Sequence, residues 1–144
     1  IGCTPTIEIT EDEERYAFEN VKSETTFHNA STANHGVCST SDDKIFITYR
    51  DNADSIKGKY VVLNSDYTVY KSETTFHDAT TYTASPVLLS SGNIMILFSD
   101  NAGGYGTGYY MVISGSDYST VIVSKTKIAG TFENDHRGTQ LSNG

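Results

Sequence analysis

The sequence predicts an all-β protein of β-propeller-like, tandem four-stranded antiparallel blades, two of them complete and partial ones at either end. Three observations predict it. The heptapeptide Lys22-Ser23-Glu24-Thr25-Thr26-Phe27-His28 returns unchanged as Lys71-Ser72-Glu73-Thr74-Thr75-Phe76-His77, an offset of 49 residues. Each copy carries four runs of β-branched and aromatic residues bounded by Gly, Asn, Asp and Ser, the pattern of strands joined by turns. No stretch holds an apolar period of 3.6 over helical length, so essentially no helix is expected.

The repeat extends well beyond the heptapeptide. At the same offset Ile45 meets Ile94, Ile47 meets Ile96, and Asp51-Asn52-Ala53 meets Asp100-Asn101-Ala102. Past small insertions, Gly58 meets Gly108, Tyr60 meets Tyr110, and Ser65-Asp66-Tyr67 meets Ser116-Asp117-Tyr118. The copies run over about 22–70 and 71–123, with partial units at 1–21 and 124–144, inside one domain or a fragment of one spanning 1–144. Residues 6–10 and 15–18 read as the back half of a preceding unit. Leu141-Ser142-Asn143-Gly144 matches Leu89-Ser90-Ser91-Gly92 and opens another copy. In the second copy the strands are expected at 86–90, 93–99, 109–114 and 120–128, where Ile128 stands as the counterpart of Phe76. Ser91-Gly92 should close a tight two-residue hairpin. The loop over 100–108 is longer and glycine-rich.

Four antiparallel strands per unit of this length is the arithmetic of a propeller blade. A sandwich does not need the same residues at one offset, and a solenoid coil is usually shorter. Two and a half blades cannot close a ring, and an open stack exposes an apolar face and a sheet edge. The expectation is therefore that flanking blades of a longer chain, or identical copies in a homo-oligomer, complete it. The absence of an initiating Met favours the longer chain.

A formal charge of −8 and a pI near 4.8 argue against a nucleic-acid partner, which demands clustered Lys and Arg. No run of 18 apolar residues exists, so no membrane insertion by a helix is expected, and the first residues lack the basic and apolar regions of a signal peptide. Cys3 and Cys38 are either one disulfide or two free thiols; Cys38 occupies the apolar position of Val87, which favours buried packing.

Two rows of loop residues are expected on one face of the blades. The first row holds His28, Asn29, Asn34 and His35, with His77, Asp78 and Tyr82 in the next copy. The second holds Arg50, Asp51, Asn52 and Asp54, with Asp100, Asn101 and Tyr105. Carboxylates and amides take paired sugar hydroxyls, and Tyr offers an apolar platform with a polar tip. From these rows the ligand-binding candidates are His28, His35, Arg50, Asp51, His77, Tyr82, Asp100 and Tyr105. Turn chemistry competes for Asp51-Asn52 and Asp100-Asn101, because Asp and Asn side chains bond nearby backbone amides after a strand. No His pair or Cys-x-x-Cys suits zinc, and no cofactor is expected. Asp51, Asn52 and Asp54 offer hard oxygens to calcium but match no twelve-residue calcium loop. The three arginines, Arg15, Arg50 and Arg137, fall at unrelated repeat positions, and no nucleophile elbow is present, so no catalytic residue is assigned.

Asn64-Ser65-Asp66-Tyr67-Thr68 and Ser116-Asp117-Tyr118, each between the third and fourth strand, resemble the Asp-box hairpin of sialidase-like propellers. The stretch from Pro86 to Ile96 resembles propeller-like repeats of large bacterial surface and secreted proteins. The resemblance implies an extracellular or cell- or virion-surface setting and an adhesive or glycan-handling role. The expectation is thus a non-catalytic module recognising a glycan or another surface polymer through inter-blade loops. Two alternatives stand beside it: a structural module of a phage or surface-layer particle, and a fragment of a sialidase-like glycoside hydrolase.

Overall fold

Seven antiparallel strands, taken in sequence order, build one meandering sheet; the computed structural model describes residues 26–100 and 106–131. The strands are β1 (Thr32–Ser39), β2 (Ile45–Asp51), β3 (Lys57–Leu63), β4 (Val69–Leu88), β5 (Ile94–Asp100), β6 (Thr107–Ile113) and β7 (Val121–Thr131). No helix occurs among the described residues, and the sheet does not close: β1 and β7 are its edges. Residues 6–10, 15–18 and 141–144, with Cys3 and Tyr105, lie outside the described residues.

The sequence reading placed a boundary near residue 70, yet the last strand of the first copy and the first strand of the second are one 20-residue strand, β4. Its first part pairs with β3 as far as Thr80, and its second part, from Thr81, pairs with β5. Nothing between Lys71 and Ser85 is Gly or Pro, so no turn interrupts the extended backbone. Two four-stranded units result: β1, β2, β3 and residues 69–80 form the first, and residues 81–88, β5, β6 and β7 the second.

The two units lie face to face because period-2 alternation gives each strand two apolar sides. One side of the first unit presents Phe46, Thr48, Tyr60 and Val62; Phe46, Tyr60 and Val62 form one core with Ile94, Ile96, Phe98, Met111 and Ile113 of the second. Contact is closest at Gly36 on β1, where an added Cβ would stand 2.6 Å from both Ala84 O and Pro86 Cδ. The Thr48 hydroxyl donates to Ala84 O at 3.2 Å across the same seam. The opposite side of the first unit carries Ile45, Ile47, Tyr49, Val61 and Leu63, which with Phe27 form a smaller cluster. By ladder position these five correspond to Ile94, Ile96, Phe98, Met111 and Ile113. The units therefore stack front to back, the front of the second against the back of the first.

Turn chemistry differs from expectation in one place. The β4–β5 hairpin closes through Leu89 N to Asn93 O at 2.9 Å, so its loop is the three residues Ser90-Ser91-Gly92, with Gly92 at φ +82. The first unit repeats this turn with Thr40 N to Lys44 O at 2.9 Å and Asp43 at φ 60 in the glycine's place. A third residue in the left-handed region followed by a bulge is a standard three-residue hairpin.

The β2–β3 turn is strained. Ser55 and Ile56 sit at φ 52 and 62, the conformation that Asn-Gly adopts freely and a β-branched residue resists. Ser55→Asn with Ile56→Gly is expected to raise stability by about 1 kcal/mol in urea denaturation, since the backbone already has the geometry those residues favour. A loss of stability would mean that the Ile56 side chain contributes packing that exceeds this strain.

Candidate functional site

The first unit concentrates its charges at one end of the sheet. Asp51, the last residue of β2, is 2% exposed. Its Oδ1 accepts from the backbone N–H of Ala53 at 2.9 Å and Asp54 at 3.2 Å, the local turn bonds expected of an Asp after a strand. Its Oδ2 accepts from Lys59 Nζ at 2.8 Å. Lys59, on the neighbouring strand, also reaches Glu73 Oε1 at 2.7 Å and Asp54 Oδ2 at 3.0 Å. The second Glu73 oxygen accepts from the Tyr49 hydroxyl at 2.5 Å and lies 2.7 Å from His28 Nδ1. His28 Nε2 stands 3.5 Å from Asp51 Oδ2, and its ring lies 5.3 Å from that of Tyr49.

Burial opposes ionisation of Asp51 and Glu73, but hydrogen bonds and charge from Lys59 outweigh it, so both carboxyls titrate below their ordinary range. Burial likewise disfavours the Lys59 ammonium, and its three carboxylates reverse this and raise its pKa. Burial and the adjacent Glu73 raise that of Tyr49. The cluster is an ion network in which the one Lys59 ammonium is shared by three carboxylates, so acidic groups are in surplus.

The second unit rebuilds this cluster with a different cation. His77 and Asp100 keep the places of His28 and Asp51, with Nε2 3.1 Å from Oδ2, although the approach is off the line that a hydrogen bond requires. Ladder partners set the remaining equivalences: Thr74 faces Tyr60 as Thr126 faces Tyr110, so Lys59 corresponds to Tyr109 and Glu73 to Lys125. Lys125 Nζ reaches Asp100 Oδ2 at 2.5 Å from the other side and stands 4.1 Å above the Tyr109 ring. Phe98 replaces Tyr49, and a phenol hydroxyl has no carboxylate to bond there. Tyr49, Lys59 and Glu73 thus become Phe98, Tyr109 and Lys125 as a set: the cation moves from the third strand to the fourth and the surplus carboxylate disappears.

His77 titrates below its ordinary value, first because burial disfavours the imidazolium and then because Lys125 repels it, while Asp100 and Asp78 partly offset both. A depressed imidazole binds fewer protons folded than unfolded, so its contribution is complete above the unfolded pKa near 6.5 and falls as pH drops below that value. The melting temperature should therefore decline between about pH 7 and pH 5, and His77→Gln should flatten the decline. An unchanged slope in that variant would exclude His77 as its source.

Of the eight predicted binding residues, the structure gathers His28 with Asp51 and His77 with Asp100, in two separate buried pairs. Tyr105 lies outside the described residues, and His35, Arg50 and Tyr82 are exposed or half-buried. Arg50 faces Ala33 across the ladder and donates from Nε to Asn52 Oδ1 at 2.9 Å, and Asn52 Nδ2 reaches Ser31 Oγ at 3.3 Å. Asn34, in the left-handed region at a β1 bulge, donates to the Tyr82 carbonyl. His35 is exposed, 2.8 Å from Thr32 Oγ1 and edge-on to Phe27 at 6.2 Å. An open cleft of about 490 Å³ borders Thr26, Phe27, His28 and Asn29. Sequence reasoning missed Lys59, Glu73 and Lys125; the signal was the third occurrence of the repeated segment, Val123-Ser124-Lys125-Thr126, which puts Lys in the place of Glu73.

Among the described residues, His28, Asp51 and Glu73 are the group suited to a metal, with ligand atoms within 4.8 Å of one another. The Lys59 ammonium already lies between both carboxylates, and the second unit has Lys where Glu73 would be a ligand. The residues fit an organic cation held by the fold. Cys38 is a free thiol, pushed up to about 11 by burial and so little ionised at neutral pH. In comparisons with protein-family models, curated proteins and solved structures, nothing matches this chain.

Proposed function

We propose that the two four-stranded units are neighbouring blades of a propeller, and that the chain is a non-catalytic extracellular module recognising a glycan or another surface polymer. The observation that carries the reading is the rim of Asn34, His35, Arg50, Asn52 and Tyr82 beside the open cleft at Phe27 and His28. These amides, the guanidinium and the aromatic groups stay accessible while the buried carboxylates are held by lysine. Such a rim suits a polymer lying across a surface, with planar groups for hydroxyls and rings for sugar faces.

Acid–base hydrolysis is disfavoured on this reading. A glycosidase needs one carboxyl with a raised pKa as proton donor, and here Asp51 and Glu73 both go down. The front-to-back contact between equivalent units supports the propeller reading, because blades pack that way and a sandwich needs no such equivalence.

A glycan array probed with the purified chain tests the recognition. Binding is expected, and Arg50→Ala with Tyr82→Ala is expected to weaken it roughly tenfold or more while leaving the melting curve unchanged. Failure to bind any glycan or surface polymer, or unchanged binding in the double variant, overturns the assignment.

A further inference from the structure

The two units fill one ladder irregularity with different residues. Between β1 and β2 the pairs run Thr32 with Asp51 and Ala33 with Arg50, then shift before Gly36 meets Thr48. Between the second part of β4 and β5 they run Thr81 with Asp100, then shift before Ala84 meets Phe98 and Ser85 meets Leu97. Arg50 faces Gly58 on its other side as Ser99 faces Gly108. Asn34, His35 and Arg50 therefore hold the places of Thr83, Ala84 and Ser99. In the second unit these places are small and closed: Ala84 is 7% exposed, Ser99 is 1% exposed, and the Thr83 and Ser99 hydroxyls bond at 3.0 Å. In the first unit they are open, with Asn34 and His35 exposed and Arg50 half-buried. A serine satisfies the same ladder position, so the fold does not require a guanidinium there.

The charge of Arg50 is not spent within the chain. Lys44, Lys57 and Lys59 each meet a carboxylate, and Arg50 meets none among the described residues. Its Nε donates to Asn52 Oδ1 at 2.9 Å, which steadies the group and leaves the donors of both Nη atoms unused among the described residues. Asp51, next along the strand, points to the opposite face and is held by Lys59. The ladder neighbours Ala33 and Gly58 add neither charge nor bulk beside it. Two adjacent Nη groups match the paired oxygens of a carboxylate or a sulfate.

We propose that the polymer recognised here is an acidic polysaccharide, and that Arg50 takes its carboxylate or sulfate group end-on through the two Nη groups. The inference rests on glycan recognition and names the class of glycan. The formal charge of −8 opposes a polyanion at long range. Charges farther apart than about 8 Å are largely screened at physiological ionic strength, whereas charge-assisted hydrogen bonds act at contact. The local fork therefore decides.

Calorimetric titration of the full chain with polygalacturonate, its methyl ester, dextran sulfate and dextran tests it. The methyl ester and dextran are the neutral counterparts of the two acidic polymers. Binding to polygalacturonate, dextran sulfate or both is expected to be at least about tenfold tighter than to the matching neutral polymer. The tighter of the two acidic polymers identifies the oxyanion as carboxylate or sulfate. Arg50→Ser, which installs the residue of the equivalent position, is expected to abolish that preference and leave the melting curve unchanged. Arg50→Lys keeps the charge without the fork and should fall between. Equal affinity for acidic and neutral polymers overturns the inference and leaves glycan recognition standing. An acidic preference that survives Arg50→Ser overturns it too. So does binding to none of the four polymers, in which case the glycan array alone decides the broader reading.

Discussion

Replacing Lys59 by methionine is expected to remove about 3 kcal/mol of folding stability in urea denaturation, because the buried Asp51 carboxylate loses its cation while the methionine keeps the packing of the stem. The cost stands at the lower end of what breaking a buried pair entails, since Glu73 is 34% exposed and stays partly hydrated. The second unit supplies the rescue. Lys59→Tyr with Glu73→Lys transplants the Tyr109–Lys125 arrangement, and this double variant should recover roughly half or more of the loss seen in Lys59→Tyr alone. Adding Tyr49→Phe, which removes the hydroxyl that bonds Glu73, should recover more. A double variant no more stable than the sum of its singles would show that the two clusters are not interchangeable solutions to one problem.

Tyr118→Asn is expected to cost about 3 kcal/mol, because it empties a buried aromatic site between the units. Tyr67→Asn, at the shorter Ser-Asp-Tyr turn of the first unit, should cost less than half as much, because asparagine tolerates the left-handed φ and the Tyr67 ring is 41% exposed. Tyr118→Phe separates the ring from its hydroxyl and should cost about 1 kcal/mol. Burial and the bond to Asp42 raise the Tyr118 hydroxyl to about 12. Burial opposes the Asp42 charge, but hydrogen bonds from Lys44, Thr40 and Tyr118 win and hold it at about 2. Its contribution is therefore present above the ordinary carboxylate pKa near 3.9 and is lost as pH falls toward 2. Equal costs for the asparagine changes at 67 and 118 would contradict the front-to-back packing from which the difference comes.

Much of this architecture was legible along the chain. Ile45, Ile47, Ile94 and Ile96, alternating with their neighbours, marked two equivalent strands, and Asp51 and Asp100 marked the ends of both. The shared strand was not legible, because the repeat phase falls at residue 71, where the backbone neither turns nor ends. Asp51 and Asp100 were read for two competing roles. The backbone bonds to Ala53 and Asp54 and the ion pair with Lys59 account for most of the acceptor capacity of Asp51, and Lys125 takes Oδ2 of Asp100. Lys59 and Glu73 were invisible as partners because they are 14 positions apart and on adjacent strands whose register shifts between them.

The sequence by itself determined the all-β class, the repeat and the turn positions, since β-branched alternation and turn residues act over a few neighbours and can be read in order. Only the tertiary structure decided which cation meets each buried Asp, and why one Ser-Asp-Tyr ring is buried and its twin exposed. Both depend on the register across a ladder and on which face the next unit covers, and neither distance is set by separation along the chain.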